Sequence, residues 1–225
     1  PEKRLKKDLL DFIDLENIIE LPHGKKINIF EDISLLSFQV GIDLADSILS
    51  IFNSSFNIVN LNDSKILPLS RRHFLSLVPK PTYVFRSHSS ANSSCCLRDL
   101  KGKRNPKSFE KERIQYSIEF FETCYKLKAK YAIPFASNMA CLHKDTFKYN
   151  SILNFSDNVI NDFKKYKEKY KGMQSKLLLP SEKINLESET FYENDILRNE
   201  IKYNSKIDLL KAMQKEYSSI LEKQY

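Results

Sequence analysis

From Gly24 to Leu61 the chain repeats one pattern, short runs of Ile, Val, Leu and Phe interleaved with polar residues and separated by turn formers. Such alternation marks strands that bury one face. The runs are Lys26 to Phe30, Ser34 to Val40, Ser47 to Phe52 and Phe56 to Leu61. Turn residues divide them at Glu31-Asp32, Gly41 to Asp43 and Asn53 to Ser55. An antiparallel meander is expected. Ahead of it, residues 3 to 13 place Leu5, Leu9, Leu10, Phe12 and Ile13 among charges, as in a short amphipathic helix.

Beyond Pro68 the period changes. Ser70 can cap a helix carrying Phe74, Leu75 and Val78, which Pro79 and Pro81 end. Tyr83 to Phe85 reads as a buried strand and leads into a polar loop from Arg86 to Pro106. A long helix follows from about Phe109 to Lys130, with Ile114, Ile118, Phe121 and Tyr125 along one stripe. Tyr131 to Phe135 is a further strand, Ser156 caps a helix carrying Val159, Phe163 and Tyr166, and Lys176 to Leu179 is a last strand. This order of elements argues for helices packed on a sheet, an α+β fold. From about Glu193 to Gln224 the pattern is one long helix with Tyr203, Ile207, Leu210, Met213, Tyr217 and Leu221 on its apolar side. That helix either docks back onto the domain or pairs with a partner helix, making a homo-oligomer. The expected division is a main domain at 1–186 and a helical tail at 187–225.

Composition narrows the classes. With 225 residues, 41% hydrophobic and 12% aromatic, the chain can fill the core of one sizeable domain. Mean hydropathy is −0.44, and no apolar run is long enough to span a membrane. Net charge is +7, yet lysine is spread along the chain and mixed with glutamate, without a basic helix or aromatic-basic motif. Nucleic-acid binding is therefore not the expectation. Cys95, Cys96, Cys124 and Cys141 lack CxxC spacing, and adjacent cysteines rarely bridge each other. Free thiols in a reducing cytoplasm follow. The chain starts at Pro1 with no signal-peptide core, which suits a piece of a longer protein.

The chemistry centres on carboxylates at strand ends. Asp63 closes the run Asn60-Leu-Asn-Asp63, and Asp46 opens the strand expected to pair with it. In a hairpin those ends lie side by side, and paired carboxylates repel unless a cation or proton sits between them. Zinc, manganese and iron all accept such oxygen ligands. For Asp63 the alternative is a carboxylate that caps the turn towards Pro68. His88, with Arg86, Ser89 and Asn92 around it, lies in a loop of the kind that carries binding residues. It either meets a substrate or stitches its own loop together. His143 is the remaining histidine near a strand end; His73 and His23 read as surface and turn residues. No H-x-H-x-D-H, HExxH, P-loop or G-x-G-x-x-G motif occurs.

Asp46-Ser47, Asn60 to Asp63, Phe85 to Asn92, Ala132 to Asn138 and Leu142-His143 together resemble the C-terminal half of metallo-β-lactamase-fold hydrolases. The branch of lactonases and N-acyl-phosphatidylethanolamine phospholipase D looks nearest, over about Leu5 to Leu179. The resemblance implies one half of an αββα sandwich, with the N-terminal half of the protein as the missing partner. It implies a divalent metal, foremost zinc, whose bound water attacks an ester, lactone or phosphodiester. Asp63 would match the metal-bridging aspartate, Asp46 would lie near a ligand position, and His143 would substitute where Met139 replaces a family histidine. His88, Ser89, Asn92 and Arg86 would meet an anionic or sugar-like small-molecule substrate. The other expectation is a non-catalytic scaffold that binds partners through its C-terminal helix.

Overall fold

The computed structural model describes residues 19–41, 46–89, 106–135, 140–203 and 206–222. The helix expected at 3 to 13, Asp43, Asn92, the Cys95-Cys96 pair and Met139 lie outside them. Seven strands form one sheet in chain order: β1 (Lys26–Asn28), β2 (Ser34–Val40), β3 (Asp46–Phe52), β4 (Asn57–Asn62), β5 (Tyr83–Arg86), β6 (Tyr131–Pro134) and β7 (Gln174–Ser175). The first four pair antiparallel, as the alternation predicts, and the last four pair parallel. Parallel neighbours need long crossovers. These are supplied by α1 (Pro68–Leu77), α2 (Pro106–Lys126) and α3 (Ser156–Tyr166).

One face of the sheet carries Leu36, Phe38, Val40, Ile48, Phe52, Val59, Leu61, Val84 and Ala132, all buried. Against it pack Phe74 of α1, Phe120, Phe121 and Cys124 of α2, and Val159 and Phe163 of α3. Full burial of side chains this size stabilises by about 1.5–3 kcal/mol each. The helices thus lie on one side of the sheet, and the fold is α+β.

The opposite face presents an apolar row across the strands. Ile27 pairs with Leu35, Leu35 with Ile51, Ile51 with Ile58, Ile58 with Tyr83, and Tyr83 with Tyr131. Only the Tyr83–Tyr131 end is well covered, by Leu178, Ile184, Leu186 and Phe191. Two of these belong to a hairpin, β8 (Lys183–Asn185) and β9 (Thr190–Tyr192). Glu189 fastens it by accepting from the Tyr131 hydroxyl at 3.1 Å and pairing with Lys130. Ile27, Leu35 and Ile51 remain half-exposed.

Two expectations for the C-terminal third need correction. The last strand of the seven-stranded sheet is Gln174–Ser175, ahead of 176–179, because β6 ends at Pro134, which has no N–H to extend a ladder. The single helix expected over 193–224 is two, α4 (Asp195–Tyr203) and α5 (Lys206–Glu222). Arg198 of α4 anchors to the buried Glu182, with Nε and Nη2 donating at 2.6 and 3.0 Å.

Candidate functional site

The carboxyl ends of β4, β5 and β6 share one edge of the sheet, because these strands are parallel. β3 runs the other way, so its first residue, Asp46, lies at that edge too. In open α/β sheets this is the edge that holds ligands.

The backbone at the end of β4 is irregular. The β4–β5 register shifts between Asn60 and Asn62, and Asn62 sits at φ +51°. Asparagine tolerates that left-handed conformation better than other side chains. The Asn60 side chain supports it by accepting the Asn62 N–H at 2.9 Å. The Asn62 carbonyl accepts from Ser87 N–H at 2.6 Å, and Ser64 N–H closes the turn onto Leu61 at 2.9 Å. Asp63 occupies that turn.

The turn is tied to β3 as well. Ser64 Oγ donates to the Ser47 carbonyl at 3.3 Å, and these residues adjoin Asp63 and Asp46 respectively. The structure therefore brings the two aspartates to one corner of the edge. Both are exposed, and neither carboxylate has a hydrogen bond or ion pair among the described residues. Of the readings open for Asp63, the turn-capping carboxylate is not what forms: the turn is closed by backbone and by Ser64.

His88 is turned inwards and only 1% exposed. Its carbonyl accepts from Asn154 Nδ2 at 2.7 Å, and its Nε2 lies 3.4 Å from Ser156 Oγ. Burial pushes its pKa down to about 4, against a hydrogen bond to the Phe135 backbone and the Asp157 carboxylate. His88 thus joins the loop after β5 to the end of β6 and the start of α3. Ser89 is half-buried and its carbonyl accepts from Ser87 Oγ at 3.2 Å. Arg86, the last residue of β5, is half-buried with Nη1 donating to the Ser87 carbonyl at 3.2 Å.

His143 is exposed on a loop pinned by Asn150, which bonds both the N–H and the carbonyl of Cys141 at 2.8 Å. Its Nδ1 accepts from Asp145 N–H at 3.3 Å. Among the described residues no group of three His, Cys, Asp or Glu side chains gathers as a metal site. The two aspartates are hard oxygen donors suited to a divalent ion, but on their own they do not complete a metal centre. Cys124 is buried, its thiol pKa pushed up to about 12 by desolvation, and neither Cys124 nor Cys141 is in a disulfide. No helix among the described residues is long and apolar enough to cross a membrane.

Sequence reasoning missed the group that holds this edge to the helices. Arg113 of α2 donates to Asp162 of α3 at 2.8 and 3.5 Å, and Ser117 Oγ donates to the same carboxylate at 2.9 Å. Asn154 contacts Ser117 at 3.1 Å while bonding the His88 carbonyl. Asp162, Ser117 and Asn154 are all buried. The available signal was an acidic residue directly before Phe163, on the apolar side of its helix.

No protein-family model matches the chain, and no curated protein matches it. Among solved structures it is similar to a mutant of CmlA β-hydroxylase, at 13% identity and a TM-score of 0.45. The match covers 77% of this chain and 34% of that one, so this chain corresponds to about a third of that protein.

Proposed function

We propose that this chain is the C-terminal part of a metal-dependent hydrolase of the metallo-β-lactamase type, acting on an ester, lactone or phosphodiester. The observation that carries the reading is the pair Asp46 and Asp63, two strand-end carboxylates at one corner of the sheet's carboxyl edge, without partners among the described residues. Carboxylates that share a site repel unless a cation or proton joins them. The half-open apolar row at Ile27, Leu35 and Ile51 supports a second β layer packed on that face, the place an N-terminal half would take. Further metal ligands would have to come from outside the described residues. Zinc is the foremost ion, with manganese and iron as alternatives.

The test is metal analysis of the full-length natural protein against Asp63→Ala. Outer-shell changes already lower metal affinity about 10–100-fold. Removing a direct ligand is expected to lower bound metal at least tenfold, roughly the lower end of that range. Equal metal content in wild type and variant removes Asp63 from the role and the metal reading with it.

A second reading, partner binding through the C-terminal helices, is favoured by one observation. Met213, Tyr217 and Ile220 of α5 and Ile196 and Ile201 of α4 are exposed apolar side chains. If this surface joins two copies, Met213→Glu with Ile220→Glu is expected to convert a dimer to a monomer in sedimentation. Because both side chains are already in solvent, the fold should survive. An assembly state identical in the variant argues against this surface.

A further inference from the structure

Two of the half-buried arginines among the described residues have a counter-charge. Arg113 is neutralised by Asp162 at 2.8 Å, and Arg198 by Glu182 at 2.6 Å. Arg86 forms no ion pair with any described residue, although Asp63 lies just beyond the strand that pairs with its own. Its hydrogen bond to the Ser87 carbonyl satisfies one nitrogen, and its Nε is buried with no partner among the described residues. Burial lowers the pKa of this guanidinium, with Cys124 and Glu119 opposing the shift from a distance.

A cation taken out of water without a counter-charge is costly, and folds retain one only where something else answers it. Arg86 stands at the carboxyl end of β5, beside the β4 bulge, on the ligand-holding edge of the sheet. A guanidinium offers a planar fork of donors that fits a carboxylate or phosphate oxygen pair. The overall charge of +7 draws anions towards the surface.

We propose that Arg86 is the anion-binding residue of this edge, its guanidinium taking a carboxylate or phosphate group of a small ligand. This deepens the proposed function, on which it rests for the edge being the ligand-facing side, by making the substrate class anionic.

The experiment follows thermal unfolding of the full chain with inorganic phosphate or acetate, using sodium chloride at matched ionic strength as control. Wild type is expected to gain a saturable rise in Tm, about 3–6 °C at tenfold excess over Kd. The anion effective at the lower concentration identifies the group recognised. Arg86→Met is expected to lose the rise while melting no lower than wild type in plain buffer, since it removes a desolvated, unpaired cation. Arg86→Lys should keep a weaker rise, having the charge but not the fork. An equal rise in Arg86→Met, or none from either anion in wild type, overturns the proposal. So does an Arg86→Met that melts far below wild type while Arg86→Lys does not, which makes the cation structural. Metal lost in Asp63→Ala beside an undiminished phosphate response in Arg86→Met removes this inference alone. The reverse pair of results removes the metal reading alone.

Discussion

Replacing Asp162 by alanine is expected to lower the stability of the chain by about 3–5 kcal/mol, as removal of one partner of a buried ion pair does. The carboxylate is 4% exposed, and it receives Arg113 Nη1 at 2.8 Å and Ser117 Oγ at 2.9 Å. Alanine leaves a guanidinium that is 15% exposed with no counter-charge, and a buried hydroxyl with one acceptor fewer. Lys165, 3.5 Å from the same carboxylate, is largely in solvent and contributes little. The damage should travel. Asn154 touches Ser117 and holds the His88 carbonyl, so loosening α2 from α3 also releases the loop after β5. Urea unfolding of Asp162→Ala, Arg113→Met and the double variant measures this. The double variant should recover part of the loss, because it removes both charges from the interior. A single-variant loss below about 1 kcal/mol would make the pair a surface-like contact.

The meander was legible because strands buried on one face write a period of two into the chain. Ser34 to Val40 alternates buried and half-buried positions throughout, and its bounds match those expected from the pattern. The C-terminal third was harder. A stripe through Tyr203, Ile207 and Leu210 continues in helical phase across Asn204 and Ser205, so periodicity alone joins α4 to α5. The β8–β9 hairpin has strands of three residues, too short for a period to register.

At the site, Asp63 was legible as a strand-end carboxylate, and hairpin geometry placed Asp46 beside it. What the sequence leaves open at His88, contact or stitch, is a question of burial. Asp162 was illegible for a different reason. An acidic residue on an amphipathic helix is ordinarily read as solvated, and its partner Arg113 is 49 positions away. The metal ligation implied for His143 depends on long-range placement in the same way. In the fold that side chain is exposed and engaged by its own loop.

Acid should weaken this fold through His88, with the onset near pH 6.5. In the unfolded chain its imidazole titrates near the ordinary value of 6.5, whereas burial holds it at about 4 in the fold. Above pH 6.5 both states are neutral and the shift has no effect. Between 6.5 and 4 the unfolded chain takes up a proton that the folded chain refuses. Stability then falls by about 1.4 kcal/mol per pH unit, roughly 3 kcal/mol in all. Below 4 the folded form protonates as well and this contribution levels off. Ser156 Oγ and the Phe135 backbone are among the groups facing the ring, and the Asp157 carboxylate opposes the shift. Desolvation outweighs both the Phe135 hydrogen bond and the Asp157 carboxylate and leaves His88 neutral. His88→Gln keeps a polar, uncharged side chain and removes the titration. The stability of wild type minus that of the variant, measured by urea unfolding from pH 8 to pH 4, should be flat above pH 7 and fall below 6.5. A difference flat down to pH 4 would mean that the ring accepts a proton in the fold as readily as in water. Because the His88 loop links the ends of β5 and β6 to α3, local opening of that edge should precede global unfolding. Protection factors at Ser87 and Phe135, corrected for the intrinsic slowing of exchange in acid, should therefore fall before those in β2 and β3 do.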